Sequence, residues 1–102
     1  MVIVKISGLP ICGVLSSSSL ANGVVFKVLQ KAGIPSEEIA SLIMGKETDG
    51  IGRFILVEVL DFRPSESCFF DRTFKPIRVA LGEELRSIWG CPVFVRRVPM
   101  AS

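Results

Sequence analysis

The sequence predicts an α+β fold in which helices pack on one face of a single β-sheet and form a two-layer sandwich. The chain has 102 residues, which leaves room for one domain, residues 1–102, with one hydrophobic core. Apolar runs rich in β-branched residues, typical of buried strands, alternate with segments whose apolar residues recur every three or four positions, as on one face of a helix. The predicted order is therefore β-α-(β or short α)-β-α-β, and a sheet covered by helices buries these residues most simply.

The first predicted strand and helix lie in the N-terminal third of the chain. Val2–Ile6 is a β-branched run, and it predicts a largely buried strand. Ile11–Ser19 is interpreted as a loop, with Ser19 as the N-cap of the next helix, because a serine hydroxyl accepts hydrogen bonds from free amides of the first turn. Apolar residues at helical spacing predict that helix over Leu20–Ala32, and Gly33 suits the left-handed conformation that ends many helices.

The segment from Glu37 to Met44 is compatible with two structures. Ser36 can act as a cap, two acidic residues follow it in the first turn, and the next apolar residues recur at helical spacing, which favours a short helix. The alternative is a short strand that covers Ser41–Met44. We expect the helix, and the strand stays open.

The second half of the chain repeats the strand–helix–strand pattern. Arg53–Phe62 is apolar on both faces except at Glu58, which is typical of an interior strand. Arg63–Lys75 is interpreted as a long connection. Pro76–Trp89 is predicted to be the second long helix, since proline suits the first helical position, where its missing amide hydrogen costs nothing. Val93–Val98 is predicted to be the last strand.

The composition bears on assembly and location. Apolar residues make up 49% of the chain, and the mean hydropathy is +0.53. Because so small a domain has too much surface to hide that many apolar side chains, we expect a homo-oligomer, a dimer or trimer, that buries the surplus between copies.

No apolar run reaches the roughly 18 residues that a membrane span needs. Three widely spaced cysteines predict reduced thiols in a cytoplasmic protein.

Missing residue types exclude several kinds of chemistry. The sequence has no histidine and no tyrosine, which excludes Ser-His-Asp and Cys-His catalysis and histidine-ligated metals. It has no CxxC pair, so we expect neither a metal nor a cofactor. A net charge of +2 is too small for a surface suited to nucleic acid, whereas the basic C-terminal third can hold a small anion.

Three strings along the chain carry a family resemblance: Ala32–Glu38, Val57–Leu60 running into Phe62–Glu66, and Ile88–Gly90. Together with the length and the element order, they resemble the tautomerase superfamily. That resemblance implies two β-α-β halves and assembly into trimers or hexamers. A ferredoxin-like arrangement, with the same linear order but antiparallel pairing, is the alternative.

The resemblance breaks down at the family's catalytic residue. Members of the superfamily use an N-terminal proline as general base, and the matching position here is Val2, which cannot serve in that role. The resemblance therefore implies the fold, while the family's activity is not expected to carry over.

Two groups of side chains are candidates for binding a ligand or partner. The first lies in the connection predicted between the third strand and the second helix, where a loop with three phenylalanines and flanking arginines can form an apolar pocket for an amphipathic anion or can plug the core. The second is an arginine pair on the last strand, whose members point to opposite faces. The candidate residues are Arg63, Phe69, Phe70, Arg72, Phe74, Arg96 and Arg97.

Glu58 is a possible general acid or base, because a carboxylate among apolar neighbours is a group whose pKa burial can perturb. The alternative is an ion pair with Arg53, Arg96 or Arg97. The sequence thus leads to a non-enzymatic module that binds a small anionic or amphipathic molecule or a protein. The alternative function is a tautomerase- or isomerase-like enzyme that acts on a carboxylate substrate without an N-terminal proline.

Overall fold

The computed structural model describes residues 1–8, 14–44, 54–62 and 67–99, with side chains for residues 1–8, 18–44, 54–62 and 72–98. This part of the chain contains four strands and two long helices. They are β1 (Val2–Ser7), α1 (Val14–Lys31), a 3-10 turn (Ser36–Glu38), β2 (Ile39–Ile43), β3 (Ile55–Asp61), α2 (Ser67–Trp89) and β4 (Val93–Pro99).

The four strands form one mixed sheet in the order β2-β1-β3-β4. β1 pairs with β2 in parallel and β3 with β4 in parallel, while the two central strands, β1 and β3, are antiparallel. Each parallel pair is joined through a helix, so the sheet consists of two β-α-β halves. The two parallel pairs exclude the ferredoxin-like alternative, which needs antiparallel neighbours throughout.

Both helices cover the same face of the sheet and enclose the core with it. Every second residue of β1 and β3 points to this face, as strand geometry requires. α1 and α2 each contribute an apolar stripe at helical spacing. The fully buried residues of this core include Val4, Ile6, Val25, Leu29, Ile55, Val57, Ile77, Leu81 and Leu85.

The short helix predicted over residues 37–44 is wrong. A 3-10 turn covers Ser36–Glu38, and β2 follows immediately, with Ile39 opposite Val2 in the parallel register. The acidic residues that suggested a first helical turn do form a turn, in which the amide of Glu38 donates to the carbonyl of Pro35. Ile39 is buried in the core, so pairing with a distant strand outweighs the local helical spacing.

α1 begins earlier than predicted. Its first residue is Val14, so the loop expected over Ile11–Ser19 is helical throughout its described part, and Ser19 lies inside the helix rather than at its cap. Serine in a helix interior costs only about 0.5 kcal/mol relative to alanine, so a helix can include this serine tract. The predicted end is confirmed: Gly33 has φ 99°, and the amide of Ile34 donates to the carbonyl of Leu29.

α2 also begins earlier than predicted, and Pro76 lies within it instead of at its start. The connection expected over Arg63–Lys75 is therefore helical from Ser67 onward. Phe74 packs against the core one turn before Ile77 and extends the same apolar stripe. Burial of this stripe extends α2 across Pro76, although a proline in a helix interior costs about 3 kcal/mol. No helix in the described part of the chain is long and apolar enough to span a membrane.

Candidate functional site

The sheet places charged side chains on both of its faces. Residues of odd number on β3 and β4, among them Asp61 and Arg97, point to the face that the helices cover. Residues of even number, among them Glu58 and Arg96, point to the opposite face. We call the opposite face the open face, since no described helix packs on it.

On the covered face, Arg97 and Asp61 form an ion pair at the edge of the core. Arg97 Nη2 lies 3.5 Å from Asp61 Oδ2, and the side chains are 18% and 2% exposed. Asp61 is the only charged residue among the buried ones in the described part of the chain. Because a guanidinium donates two parallel hydrogen bonds, Arg97 is suited to hold a carboxylate.

This ion pair lies beside the start of β1. Asp61 is opposite Val2 in the antiparallel register, and the side chain of Val2 is fully buried. The carbonyl of Met1 accepts a hydrogen bond from the amide of Phe62 at 3.0 Å, and the amine of Met1 lies 3.9 Å from Glu38 Oε1. The position at which the resembled family has its proline is therefore a buried valine next to a paired arginine.

On the open face, Glu58 pairs with Arg96. Arg96 Nη2 and Nε lie 2.6 and 3.1 Å from the same carboxylate oxygen, Oε2. The residue opposite Glu58 on its other side is Lys5 of β1, so Lys5, Glu58 and Arg96 form a row across the sheet. Glu58 thus lies next to one of the three arginines predicted as ion-pair partners, and its role as acid or base stays a prediction.

Apolar side chains surround this charged row. Phe54 and Phe94 pack edge to face with ring centroids 5.5 Å apart, and both are about half exposed, as are Leu42 and Phe62. Large apolar side chains grouped on one uncovered sheet face are typical of a surface that binds another protein.

Of the predicted aromatic group, the structure describes the side chains of Arg72 and Phe74, and both lie on α2 rather than on a loop. Arg63 and the side chains of Phe69 and Phe70 lie outside the described residues. Arg72 is exposed on α2, and Phe74 packs against the core. The arginine-edged pocket was predicted on a connection that is helical from Ser67 onward, because the apolar stripe of α2 reaches back beyond Pro76, and the pocket itself stays a prediction.

Sequence reasoning missed the residues that matter most on the sheet. Asp61 continues the alternation of Ile55, Val57 and Val59, so the period of β3 alone placed its carboxylate on the covered face. Among the described side chains, the exposed aromatic residues are Phe54, Phe62 and Phe94. The same period puts Phe54 and Phe62 on the face of Glu58.

Two grooves lie outside these charged pairs. A groove of about 790 Å³ runs between α2 and β4, with Arg78, Arg86 and Phe94 among its walls. A smaller one, of about 370 Å³, lies between α1 and α2 and includes Lys27 and Lys31. Neither contains Arg97, Asp61 or Glu58, so these two grooves and the ion pairs are separate features of this surface.

Other chemistry is limited among the described residues. No group of three or more Cys, Asp and Glu side chains in this part of the chain could hold a metal ion. Cys91 is a free thiol whose pKa is raised by burial, because desolvation disfavours the thiolate. A raised pKa makes this cysteine a poor nucleophile at neutral pH.

Known proteins are similar to this chain in fold but share little of its sequence. No family model and no curated protein sequence matches the chain. Among solved structures, macrophage migration inhibitory factor from Toxoplasma gondii is similar with a TM-score of 0.69 at 12% identity, over 98% of this chain and 89% of that one.

Two further structures widen the comparison. A member of the cis-3-chloroacrylic acid dehalogenase family has a TM-score of 0.67 at 8% identity, over 97% of this chain and 75% of that one. A fused 4-OT described as an asymmetric trimer has a TM-score of 0.56 at 17% identity, over 96% and 85% of the two chains. All three carry the fold of the tautomerase superfamily, and this chain has that fold.

Proposed function

We propose that this chain is a homo-oligomeric, non-enzymatic protein that binds a small carboxylate on a tautomerase fold. The observation that carries the proposal is the Arg97–Asp61 ion pair beside a buried valine at the start of β1. Asp61 holds the Arg97 guanidinium in place, where this cation can bind an anion. The start of β1 has a valine and offers no proline amine. The free thiol of Cys91 is compatible with the cytoplasmic location that we propose.

The ligand class follows from the chemistry of this ion pair. Asp61 is buried and holds the Arg97 side chain in one place, while Arg97 still reaches the surface. An arginine that is already ordered loses little side-chain entropy when it binds an anion. One structural neighbour belongs to a family named for a small carboxylic acid, 3-chloroacrylic acid, which supports a carboxylate as the ligand.

The absence of an exposed secondary amine supports binding rather than catalysis. In the resembled family the proline nitrogen takes up a proton, so it must face the ligand. Here Val2 is clamped between β2 and β3, with its side chain in the core. A valine has no proline nitrogen, so this chain lacks the general base that the resembled family uses in its reaction.

Self-association is proposed through the open face. Its exposed phenylalanines and leucine surround the row of Lys5, Glu58 and Arg96, so a second copy would cover apolar area and meet a patterned set of charges. The trimeric state of the fused 4-OT is a precedent in the same fold.

Ligand binding is tested by thermal shift and calorimetry with cis-3-chloroacrylate. We expect saturable stabilisation of the wild type. In the Asp61→Asn/Arg97→Gln variant, which removes both charges and keeps both side chains polar, the dissociation constant should rise about tenfold or more. Arg96→Gln, on the other face, is the matched control and should bind as the wild type does. Equal binding by all three proteins would refute the proposed site.

Self-association is tested by analytical ultracentrifugation over a range of concentrations. Phe94→Glu should shift the protein toward monomer, because it places a charge in the apolar part of the open face. Leu20→Glu is the matched control, since Leu20 is similarly exposed, at 63% against 59%, but lies on α1. A wild type that stays monomeric at all concentrations would contradict this part of the proposal.

A second candidate is an enzyme that acts on the same class of carboxylate with Glu58 as base. The dehalogenase neighbour favours it. The 2.6 Å ion pair with Arg96 argues against it, because the guanidinium already occupies the carboxylate oxygen that would have to take up the proton. Chloride release from cis-3-chloroacrylate, abolished by Glu58→Gln, would establish the enzyme. No release above the buffer rate is expected.

A further inference from the structure

The smaller groove, of about 370 Å³, lies between α1 and α2 and includes neither charged pair of the sheet. Exposed residues of both helices, among them Lys27, Lys31 and Pro76, line its rim, so it opens to solvent. Its volume is within the range of sites that bind small molecules, about 300–1,000 Å³. The helical layer therefore has a concave surface of its own.

Two alanines make room for this groove. Ala32 of α1 and Ala80 of α2 line it and are half-buried. Because an alanine side chain ends at Cβ, a gap is left where larger side chains would fill the contact between the helices. The deepest lining residues are Val28 and Ile77, which belong to the core and are 7% and 1% exposed. The floor of the groove is therefore apolar.

Charged side chains stand at the rim of this apolar floor. α1 and α2 run antiparallel, because β1 and β3 are antiparallel and each helix leads back to a strand parallel to the one before it. Lys27 Nζ of α1 lies 4.0 Å from Glu84 Oε1 of α2. Lys31 is about one helical turn further along α1, so it lies toward the earlier turns of α2 and away from Glu84. From Pro76 to Glu84, α2 lines the groove over about 12 Å at 1.5 Å per residue.

Lys31 carries the charge that is available to a ligand. It is exposed and makes no ion pair with a described residue. Glu84 also lines the groove but is already paired with Lys27, so the two lysines leave an excess of one positive charge. An ammonium group beside an apolar floor attracts an anion more strongly than one surrounded by water, because the local dielectric constant is lower.

We propose that this groove binds a free aliphatic carboxylate of about the length of octanoate, with its chain along Val28 and Ala80 and its carboxylate beside Lys31. The apolar floor takes the chain, since each methylene removed from water adds to the affinity. The ammonium of Lys31 gives the chain one orientation. This site is separate from the Arg97–Asp61 pair and does not depend on it, because here the chain supplies most of the affinity.

Calorimetry with the whole chain and a series of free acids tests the site. From butanoate through hexanoate to octanoate, the affinity should rise about two- to fourfold with each added methylene. Octylammonium has the same chain and the opposite charge, and it should bind about tenfold more weakly than octanoate. Octanoate should bind equally at saturating cis-3-chloroacrylate, the ligand assigned to Arg97. Displacement of octanoate would place it at Arg97 and overturn this second site, whereas no binding of cis-3-chloroacrylate itself would overturn only the earlier proposal.

Two substitutions test the contacts in the groove. Lys31→Glu should raise the dissociation constant of octanoate about tenfold or more, and so should Ala80→Phe, which fills the groove. The matched controls are Lys75→Glu and Gln30→Phe, which make the same change of charge and add the same ring at exposed positions outside the groove. Both controls should bind octanoate as the wild type does. If octanoate binds no more tightly than butanoate, or if Lys31→Glu binds it unchanged, the proposal is wrong, and these two comparisons decide it even where Ala80→Phe does not fold.

Discussion

Arg97 and Asp61 join β4 to β3 on the covered face, with Nη2 3.5 Å from Oδ2 and the carboxylate 2% exposed. The neighbouring residue, Arg96, pairs with Glu58 on the open face, where Arg96 is 63% exposed. Two adjacent arginines thus serve two different environments, because successive residues of a strand point to opposite faces.

Loss of Asp61 should destabilise the protein strongly. In Asp61→Ala the mostly buried guanidinium of Arg97 loses this carboxylate, and we expect the free energy of unfolding to fall by about 2–4 kcal/mol. Urea unfolding measures it. Lys27→Ala is the control, because it breaks the exposed 4.0 Å ion pair with Glu84 and should cost less than about 1 kcal/mol. Equal losses in both variants would contradict the burial of the Asp61 pair.

The packing of α2 against the sheet predicts a large effect at Leu81. The side chain is fully buried, so Leu81→Ala should lower the free energy of unfolding by about 2–5 kcal/mol through lost burial and a cavity. Leu20→Ala on α1 removes the same atoms from an exposed position and should change it by less than about 0.5 kcal/mol. Chemical denaturation compares the two, and a small loss at Leu81 would place the core elsewhere.

Two glycines predict opposite signs for the same substitution. Gly33 has φ 99° at the end of α1, so Gly33→Ala should destabilise by about 1–2 kcal/mol, since a Cβ is disfavoured there. Gly23 is exposed inside α1, and an added Cβ would meet no atom within 4 Å. Gly23→Ala should therefore stabilise by about 0.5–1 kcal/mol. Thermal unfolding measures the change in stability of both variants. A change of the same sign in both would contradict the position of Gly33 at the end of α1.

Partial burial of Cys91 predicts slow alkylation. Because burial raises the pKa of its thiol, less thiolate is present at any given pH, and the thiolate is the nucleophile. The Cys12→Ser/Cys68→Ser variant leaves Cys91 as the one thiol that can react. The rate at which iodoacetamide alkylates it should reach half its maximum at a higher pH in the folded protein than in urea. A midpoint at or below the unfolded value would show that the thiol is not desolvated.

Periodicity predicted the elements that depend on one segment at a time. The apolar runs of β1 and β3, the alternation of Arg96 and Arg97 on β4 and the stripes of the two helices were readable, because each pattern lies within a single element. The errors fell where a local signal competed with a distant one. Glu37 and Glu38 favoured a helix, and pairing with β1 made a strand. Pro76 suggested a helix start, and the stripe ending at Phe74 carried the helix past it.

The candidate site was only partly predictable for the same reason. Arg96 and Arg97 were selected as an alternating pair, and their positions on opposite faces follow from strand geometry alone. Their partners do not, since Glu58 and Asp61 are separated from them by the whole of α2. Asp61 could have been found from the period of β3, whereas the groove between α2 and β4 exists only once the helix lies against the strand.

The sequence by itself determined that this protein is an α+β chain with two strand–helix–strand halves and a surplus of apolar residues. The tertiary structure alone decided the strand order, the strand at residues 39–43, the pairing of each arginine and the uncovered face of the sheet. The physical reason is the distance along the chain over which each feature is determined. Side-chain periodicity is set by the local backbone, while strand partners and ion pairs are selected by the burial and hydrogen bonding of segments far apart in the chain.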